Sequence, residues 1–224
     1  MTIVFFKDPQ RMWLLLRVMA GGVPFTVMLF ALTLLLAMPL GLPFALGRLS
    51  KRKLISAPVG FYVYIMRSTP LILQIMCIYY LLPQILPFRL DRMWSVTFAF
   101  AINYAAYFAE IYRGGIQSIP PGQWEAAQVL GYTRPQSFFR IILPQVIKNV
   151  MPSITNEIIT LVKDTALAST VAIPEILVIA KQQVSSSSSV EPYLVAMVFY
   201  LVLNGLAEKL CNLAEKKLGR GDRT

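Results

Sequence analysis

The sequence predicts an all-α polytopic membrane protein: five transmembrane helices and one helical hairpin on the cytoplasmic face. Three observations predict it. Of 224 residues, 56% are hydrophobic and only 14% charged, against about 25% charged in a typical soluble domain. Val18 to Gly47 is a run of 30 residues without a charge, longer than the roughly 20 that a helix needs to cross a bilayer and longer than a signal-peptide core of about 7–15. Further apolar runs follow, separated by polar stretches rich in turn-forming residues.

The spans fall at 20–46, within 56–82, and at 93–112, 147–164 and 190–208. Arg67 and Pro70 interrupt the second. The run TALASTVAIPEILVIA (165–180) is apolar but broken by Pro174 and Glu175. It is short for a span and reads as a re-entrant or interfacial segment. QQVSSSSSVEP (182–192) has the composition of a flexible linker. The organisation is thus an N-terminal segment 1–19, a membrane domain 20–210 and a basic tail 211–224.

Charge sets the orientation. Arg48, Lys51, Arg52 and Lys53, then Arg113, Arg134, Arg140 and Lys148, then Lys209, Lys216, Lys217, Arg220 and Arg223 share one side, 13 cations in all. Lys7, Arg11, Arg17, Arg89, Arg92, Lys163 and Lys181 share the other. The richer side is cytoplasmic by the positive-inside rule, which places the N-terminus outside and the C-terminus inside. The net charge of +10 reads as this bias and not as a nucleic-acid surface. With no histidine, and with Cys77 and Cys211 far apart in sequence, histidine triads, HExxH zinc sites and CxxC redox chemistry are excluded.

Residues 120–144 face the cytoplasm and encode two short helices with an elbow. PPGQ opens the first, because proline is tolerated in a first turn. Gly131 suits its left-handed terminator. Thr133 with Gln136 three residues on forms a capping-box pattern, and Pro135 fits the first turn of the second helix. Phe138, Ile141 and Ile142 give that helix one apolar face, and Pro144 is expected to close the unit.

The spacing of this hairpin is specific. Glu125-Ala126-Ala127, then Gly131, Ile141 and Leu143-Pro144, resembles the EAA signature of permease subunits in ABC importers. RSTPLILQ (67–74), YFAEIYRGGIQSIPPGQWEAA (107–127) and NEIITLVKDTALAST (156–170) resemble the polar amino-acid uptake branch of that family. The resemblance implies the type I ABC importer transmembrane fold in a bacterial cytoplasmic (inner) membrane. It implies that the hairpin is a coupling element, with Glu125, Ala126, Ala127, Gly131, Leu143 and Pro144 docking on a cytoplasmic ATP-binding subunit. Two such subunits, a second permease subunit and an external solute-binding protein would complete the complex. The chain has no GxxxxGK[ST] loop, so ATP and magnesium belong to the partner and this chain binds no cofactor of its own. Five spans do not readily enclose a pathway, so a dimer, homo- or heteromeric, is expected on geometric grounds as well.

Polar groups at membrane depth each need a reason, since a centred charge costs about 2.5–3.5 kcal/mol on insertion scales. Counting a helix from residue 147, Glu157 lies roughly 15 Å along it at about 1.5 Å per residue. Glu157 and Asn156 suit the ammonium group of an amino acid, and Pro152 could break the helix there. Glu157 could equally pair with Arg67. Proline after Thr69 disfavours helix at that residue. Arg67 could meet a substrate carboxylate, Glu157 or Glu110, and Gln74 is a further pocket candidate. Glu110 and Arg113, three apart, share a helix face and read as a gate or bundle pair, with Gly114-Gly115 a possible hinge. Lys163 and Asp164 read as an interfacial pair, or an outer gate. The function expected is ATP-driven import of a polar amino acid by alternating access. The rival is a proton-coupled transporter using Glu157, Glu110 or Asp164. A membrane enzyme or a scaffold lacks support in these motifs.

Overall fold

The computed structural model describes residues 8–85 and 91–219. Four cations used for the orientation, Lys7, Arg89, Arg220 and Arg223, lie outside them. Among the described residues every regular element is helical. In order these are α1 (Pro9–Ala20), α2 (Val23–Leu49), α3 (Lys53–Ser68), α4 (Leu71–Met76), α5 (Arg92–Gln117), α6 (Pro121–Val129), α7 (Arg134–Ser137), α8 (Leu143–Asp164), α9 (Ile176–Ser187) and α10 (Glu191–Gly219). A π turn, Cys77–Leu81, and the turn Leu82–Ile85 extend α4. A second π turn, Phe138–Ile142, joins α7 to α8, and a 3₁₀ turn, Thr165–Val171, follows α8. The chain divides into two compact units. One draws on the described residues of Met1–Leu35, Thr69–Ala101 and Ile158–Ala207, the other on those of Leu36–Ser68, Ile102–Glu157 and Glu208–Thr224.

In the first unit, the segment before residue 20 is itself helical. Asp8 caps α1, accepting from the N–H of Gln10 at 2.9 Å, and Pro9 occupies the first turn. Leu15 and Met19 of α1 are buried against Ile176 and Ala180 of α9 and Val195 and Ala196 of α10. Each fully buried Leu or Met is worth about 1.5–3 kcal/mol over its exposed state. The run 165–180 is broken at Pro174 and Glu175 as expected, and Glu175 is the N-cap of α9. It is fully buried and accepts from the N–H groups of Leu177 at 2.8 Å and Val178 at 2.7 Å and from the Tyr200 hydroxyl at 2.6 Å.

The serine run is not a flexible linker. Helix α9 continues to Ser187, where Ser186 and Ser187 donate back to the carbonyl of Gln183. Ser188 turns the chain with φ 53°. Buried Ser189 then donates to the Glu191 carboxylate at 2.8 Å and accepts from the Glu191 N–H at 3.3 Å, opening α10. Serine hydroxyls compete for backbone groups at helix ends, so the same composition that suggests a loop here builds two helix termini.

In the second unit, α3 packs on α5 through small side chains. Val63, Ala106 and Ala109 form its core with Ala45 of α2, and Phe44, Val59, Tyr62, Met66 and Tyr112 pack around them. Small residues let helix backbones approach closely where no hydrophobic effect drives association. Helix α5 runs through Gly114 and Gly115 without a break. A Cβ at Gly115 would stand 2.1 Å from the Val150 side chain, whereas one at Gly114 would meet nothing within 4 Å. Gly115 is therefore a close-approach site between α5 and α8.

Two prolines behave otherwise than the sequence suggests. Pro144 does not close the hairpin, and α8 contains both Pro144 and Pro152 without interruption. The π turn Phe138–Ile142 precedes Leu143-Pro144, as Cys77–Leu81 precedes Leu82-Pro83. A wider turn eases the clash between a proline ring and the preceding carbonyls. Since α8 begins at Leu143, Glu157 lies about 21 Å along it rather than about 15 Å.

Two described stretches, Pro9–Leu49 and Glu191–Lys217, are long and apolar enough to cross a membrane. Lys53–Ser68 and Leu71–Ile85 add a third if the two count as one broken span. Helix α5, with 26 residues, and α8, with 22, have the length but a more polar composition.

Candidate functional site: a bent knob and an arginine-caged glutamate

The stretch 120–144 forms a knob with a locked elbow. Helix α6 begins at Pro121 and closes on a Schellman motif. Gly131, with φ +79°, donates its N–H to the Gln128 carbonyl at 2.9 Å, and Tyr132 donates to Ala127 at 3.0 Å. The capping box of α7 is present, with the Thr133 N–H donating to Gln136 Oε1 at 2.9 Å. Trp124 and Phe138 stack with ring centroids 6.5 Å apart, and Gln145 Nε2 donates to Gln123 Oε1 at 3.2 Å. Ala127 is buried while Glu125 and Ala126 are exposed. Val129 (88% exposed), Leu130 (73%) and Phe139 (65%) show unusually bare apolar side chains for a surface this polar. Leu143 is half-buried and Pro144 exposed. The arrangement is a stiff, bent tab with an apolar lip and a carboxylate, a shape suited to contact and not to chemistry.

The second feature surrounds Glu110. Arg113 holds it with Nε at 3.1 Å and Nη2 at 2.7 Å, and Arg48 Nε donates to it at 3.2 Å. Arg67 Nη1 stands 3.8 Å away, and its guanidinium lies over the Tyr107 ring at 5.4 Å from the centroid. Charge-assisted bonds of the first kind are short and strong; the Arg67 distance is an ion pair beyond hydrogen-bond reach. Arg113 also donates to Gln117. Of the partners open to Arg67, this structure gives it Glu110. Arg48, Arg67, Ser68, Tyr64, Tyr107 and Glu110 line a cleft of about 400 Å³.

The end of α3 is closed by side chains from α5. Asn103 Nδ2 donates to the Met66 carbonyl at 2.9 Å, and the Tyr62 hydroxyl donates to the Ile102 carbonyl. In the first unit, Pro70 takes φ −62° and ψ 130° just before α4. Gln74 Nε2 donates to Thr69 Oγ1 at 2.7 Å and to the Thr69 carbonyl at 3.2 Å. The break thus carries its own polar lining. On α8, Glu157 is half-buried and Asn156 exposed; Lys163 is exposed and Asp164 half-buried at the helix end.

Sequence reasoning missed Arg48, Tyr107, Asn103 and Tyr62. Arg48 was spent on the orientation count. Asn103 carried a usable signal, as a buried amide inside an otherwise apolar run, where an unpaired polar group costs several kcal/mol.

Comparisons with known proteins converge. Residues 37–220 match the family described as binding-protein-dependent transport system inner membrane component. The octopine transport system permease protein OccM of Rhizobium radiobacter is 40% identical over 93% of this chain and 89% of its own length. The arginine transport system permease protein ArtQ of Bacillus subtilis (strain 168) is 33% identical over 90% and 92%. A crystal structure of an amino acid ABC transporter with histidines superposes with a TM-score of 0.86 at 32% identity, covering 97% of this chain and all of that one. Inward-facing structures of the MetNI methionine ABC transporter share the fold, with a TM-score of 0.73 at 19% identity. The chain therefore belongs to the family of binding-protein-dependent transport system inner membrane components, the permease subunits of ABC importers.

Proposed function

We propose that this chain is the membrane-spanning subunit of an importer that moves a polar amino acid inward at the expense of ATP hydrolysed on a separate subunit. The observation that carries the reading is the likeness, over nearly the whole chain, to permeases whose names state amino-acid or opine transport. The knob supports it: a bent tab locked by Gly131, the Thr133–Gln136 box and the Trp124–Phe138 stack is stiff enough to pass on motion. In this reading α2, the broken pair α3 and α4, α5, α8 and α10 are the five spans. The knob docks on the cytoplasmic ATPase through Glu125, Ala126, Ala127 and Gly131, with Leu143 and Pro144 at its root. Two ATPase copies, a second permease subunit and an external solute receptor complete the assembly, with the N-terminus outside.

ATP binding draws the ATPases together, the knobs follow, and the pathway turns outward to accept solute; hydrolysis reverses this. In the second unit Glu157 and Asn156 are the contacts for the solute's ammonium end and Arg67 a further solute contact; in the first unit Thr69 and Gln74 are solute contacts of their own. Glu110 with Arg113, and Lys163 with Asp164, act as gate or structural pairs. Proton coupling through a carboxylate is disfavoured by family membership, and Glu110 is already held by arginines.

The test is uptake into vesicles holding the full complex with ATP and a collapsed proton gradient. Amino-acid uptake is expected to persist, and Glu157→Gln to lower it by roughly tenfold, the weight of one charged contact. Uptake that vanishes with the gradient while ATP remains would sink the proposal.

A further inference from the structure

The group around Glu110 holds more cation than its carboxylate answers. Arg48, Arg67 and Arg113 converge on one glutamate, so the four formal charges sum to +2. The three arginines are not equivalent. Arg113 and Arg48 make hydrogen bonds to Glu110 at 3.2 Å or less, with side chains 28% and 32% exposed. Arg67 makes none to it, stands at 3.8 Å, and is 44% exposed. It is steadied instead by the face of Tyr107.

Gly60 takes part in the arrangement. A Cβ there would stand 2.6 Å from Arg48 Nη1, so the missing side chain leaves room for the Arg48 head to pass α3 and reach Glu110. The exposed positions of α3 include Leu54, Phe61, Tyr64 and Ser68, which recur at helical spacing and mark its open face. Tyr64 and Ser68 also line the cleft, so the cleft opens on that face. Its volume of about 400 Å³ falls within the roughly 300–1,000 Å³ usual for small-molecule sites.

We infer that this cleft is a seat for the carboxylate of the solute in transit, in which Glu110 is the resident competitor. Arg48 and Arg113 fix Glu110 in place, and Gly60 admits Arg48. Arg67 is the exchanging cation: it leaves its loose pairing with Glu110 for an incoming carboxylate, which a guanidinium takes in bidentate fashion. The Ser68 hydroxyl is the second donor at hand. Solutes with a free carboxylate are then recognised, and their amides are not. The inference rests on the amino-acid importer reading and adds the carboxylate as the recognised group, with Arg48, Gly60 and Glu110 as positioning residues.

The experiment is equilibrium binding of the twenty radiolabelled L-amino acids to the purified full complex in phosphatidylcholine nanodiscs, without the receptor. The carboxamide of each binder serves as competitor. The expected results are competition at least tenfold weaker from the amide, and opposite effects of two neutral variants. Arg67→Gln weakens binding by roughly tenfold or more, whereas Glu110→Gln tightens it and slows release, because the competitor is gone. A purely structural role would move both variants the same way. Should Glu110→Gln fail to assemble, Glu110→Asp replaces it: the shorter side chain draws the carboxylate away from Arg67, which already stands 3.8 Å off, and is likewise expected to tighten binding.

Equal competition by amides overturns the inference, as do same-direction effects of the two variants. No binding by any of the twenty overturns it too. Wild-type binding abolished by phosphatidylglycerol would assign the cleft to a lipid phosphate instead, which also overturns it. ATP-driven uptake that continues through any of these results leaves the importer reading standing and removes this inference alone.

Discussion

Replacing Gly131 separates backbone preference from packing at the elbow of the knob. Its φ is +79°, and a Cβ built there meets nothing within 4 Å. Within the chain no clash arises, so the cost to the elbow itself is conformational. For alanine, holding the left-handed region costs about 1–2 kcal/mol. Asparagine tolerates that region far better, and a β-branched valine worse. The assay is amide hydrogen exchange at Tyr132, whose N–H closes the motif on Ala127 at 3.0 Å, measured on the assembled complex alongside ATP-driven uptake. Since about 1.4 kcal/mol is a factor of ten, Gly131→Ala is expected to lower protection roughly 5–30-fold. The order of damage is asparagine, then alanine, then valine. Asparagine is bulkier than alanine, so an order following side-chain volume would refute the reasoning. So would three variants indistinguishable from glycine.

Two further substitutions test packing and capping. Gly115→Ala places a methyl 2.1 Å from Val150. It is expected to destabilise the complex by about 1–3 kcal/mol through overpacking, to be relieved by adding Val150→Ala, and to contrast with a harmless Gly114→Ala, all read from thermal unfolding in detergent. Glu175→Ala removes the cap of α9 and leaves the Tyr200 hydroxyl without its acceptor. A loss of about 2–4 kcal/mol is expected from the cap and the orphaned hydroxyl together, of which Tyr200→Phe in the same background should restore part; no recovery would mean that the hydroxyl is satisfied elsewhere.

The parts of the architecture legible in the sequence are those governed by local rules. Gly131, Thr133 and Gln136 announce an elbow because a left-handed residue and a capping box depend on a few neighbouring positions. The break after Ser68 is legible for the same reason, since proline restricts the residue before it. What failed depends on context. Pro144 and Pro152 read as helix breakers, yet α8 accommodates both, one of them beside a π turn. The serines of 185–189 read as a linker, although buried Ser189 and the back-bonded Ser187 need their neighbours in space to be recognised as helix ends. The Glu110 group shows both regimes. Its pairing with Arg113 follows from helical spacing, whereas Arg48, 62 residues earlier, reaches it only through the packing of α2 on α3 and α5 and the gap at Gly60.

The physical chemistry of the second unit sets that group apart. Backbone carbonyls at the α3–α5 seam are met by neutral donors, Met66 by Asn103 and Ile102 by Tyr62. Each such pairing satisfies a polar group without adding charge, as a low-dielectric setting favours. Glu110 could be satisfied as simply by Arg113 alone, which already gives it bonds through two nitrogens. Arg48, in the last turn of α2, adds a second hydrogen-bonded cation, and Arg67 a third positive charge that the glutamate does not require, where a charge centred in a bilayer costs about 2.5–3.5 kcal/mol. Partial exposure to the cleft lowers that cost without removing it. Arg67 is therefore a cation beside an open cleft that Glu110 does not require, as expected if a negative group arrives there during each transport cycle.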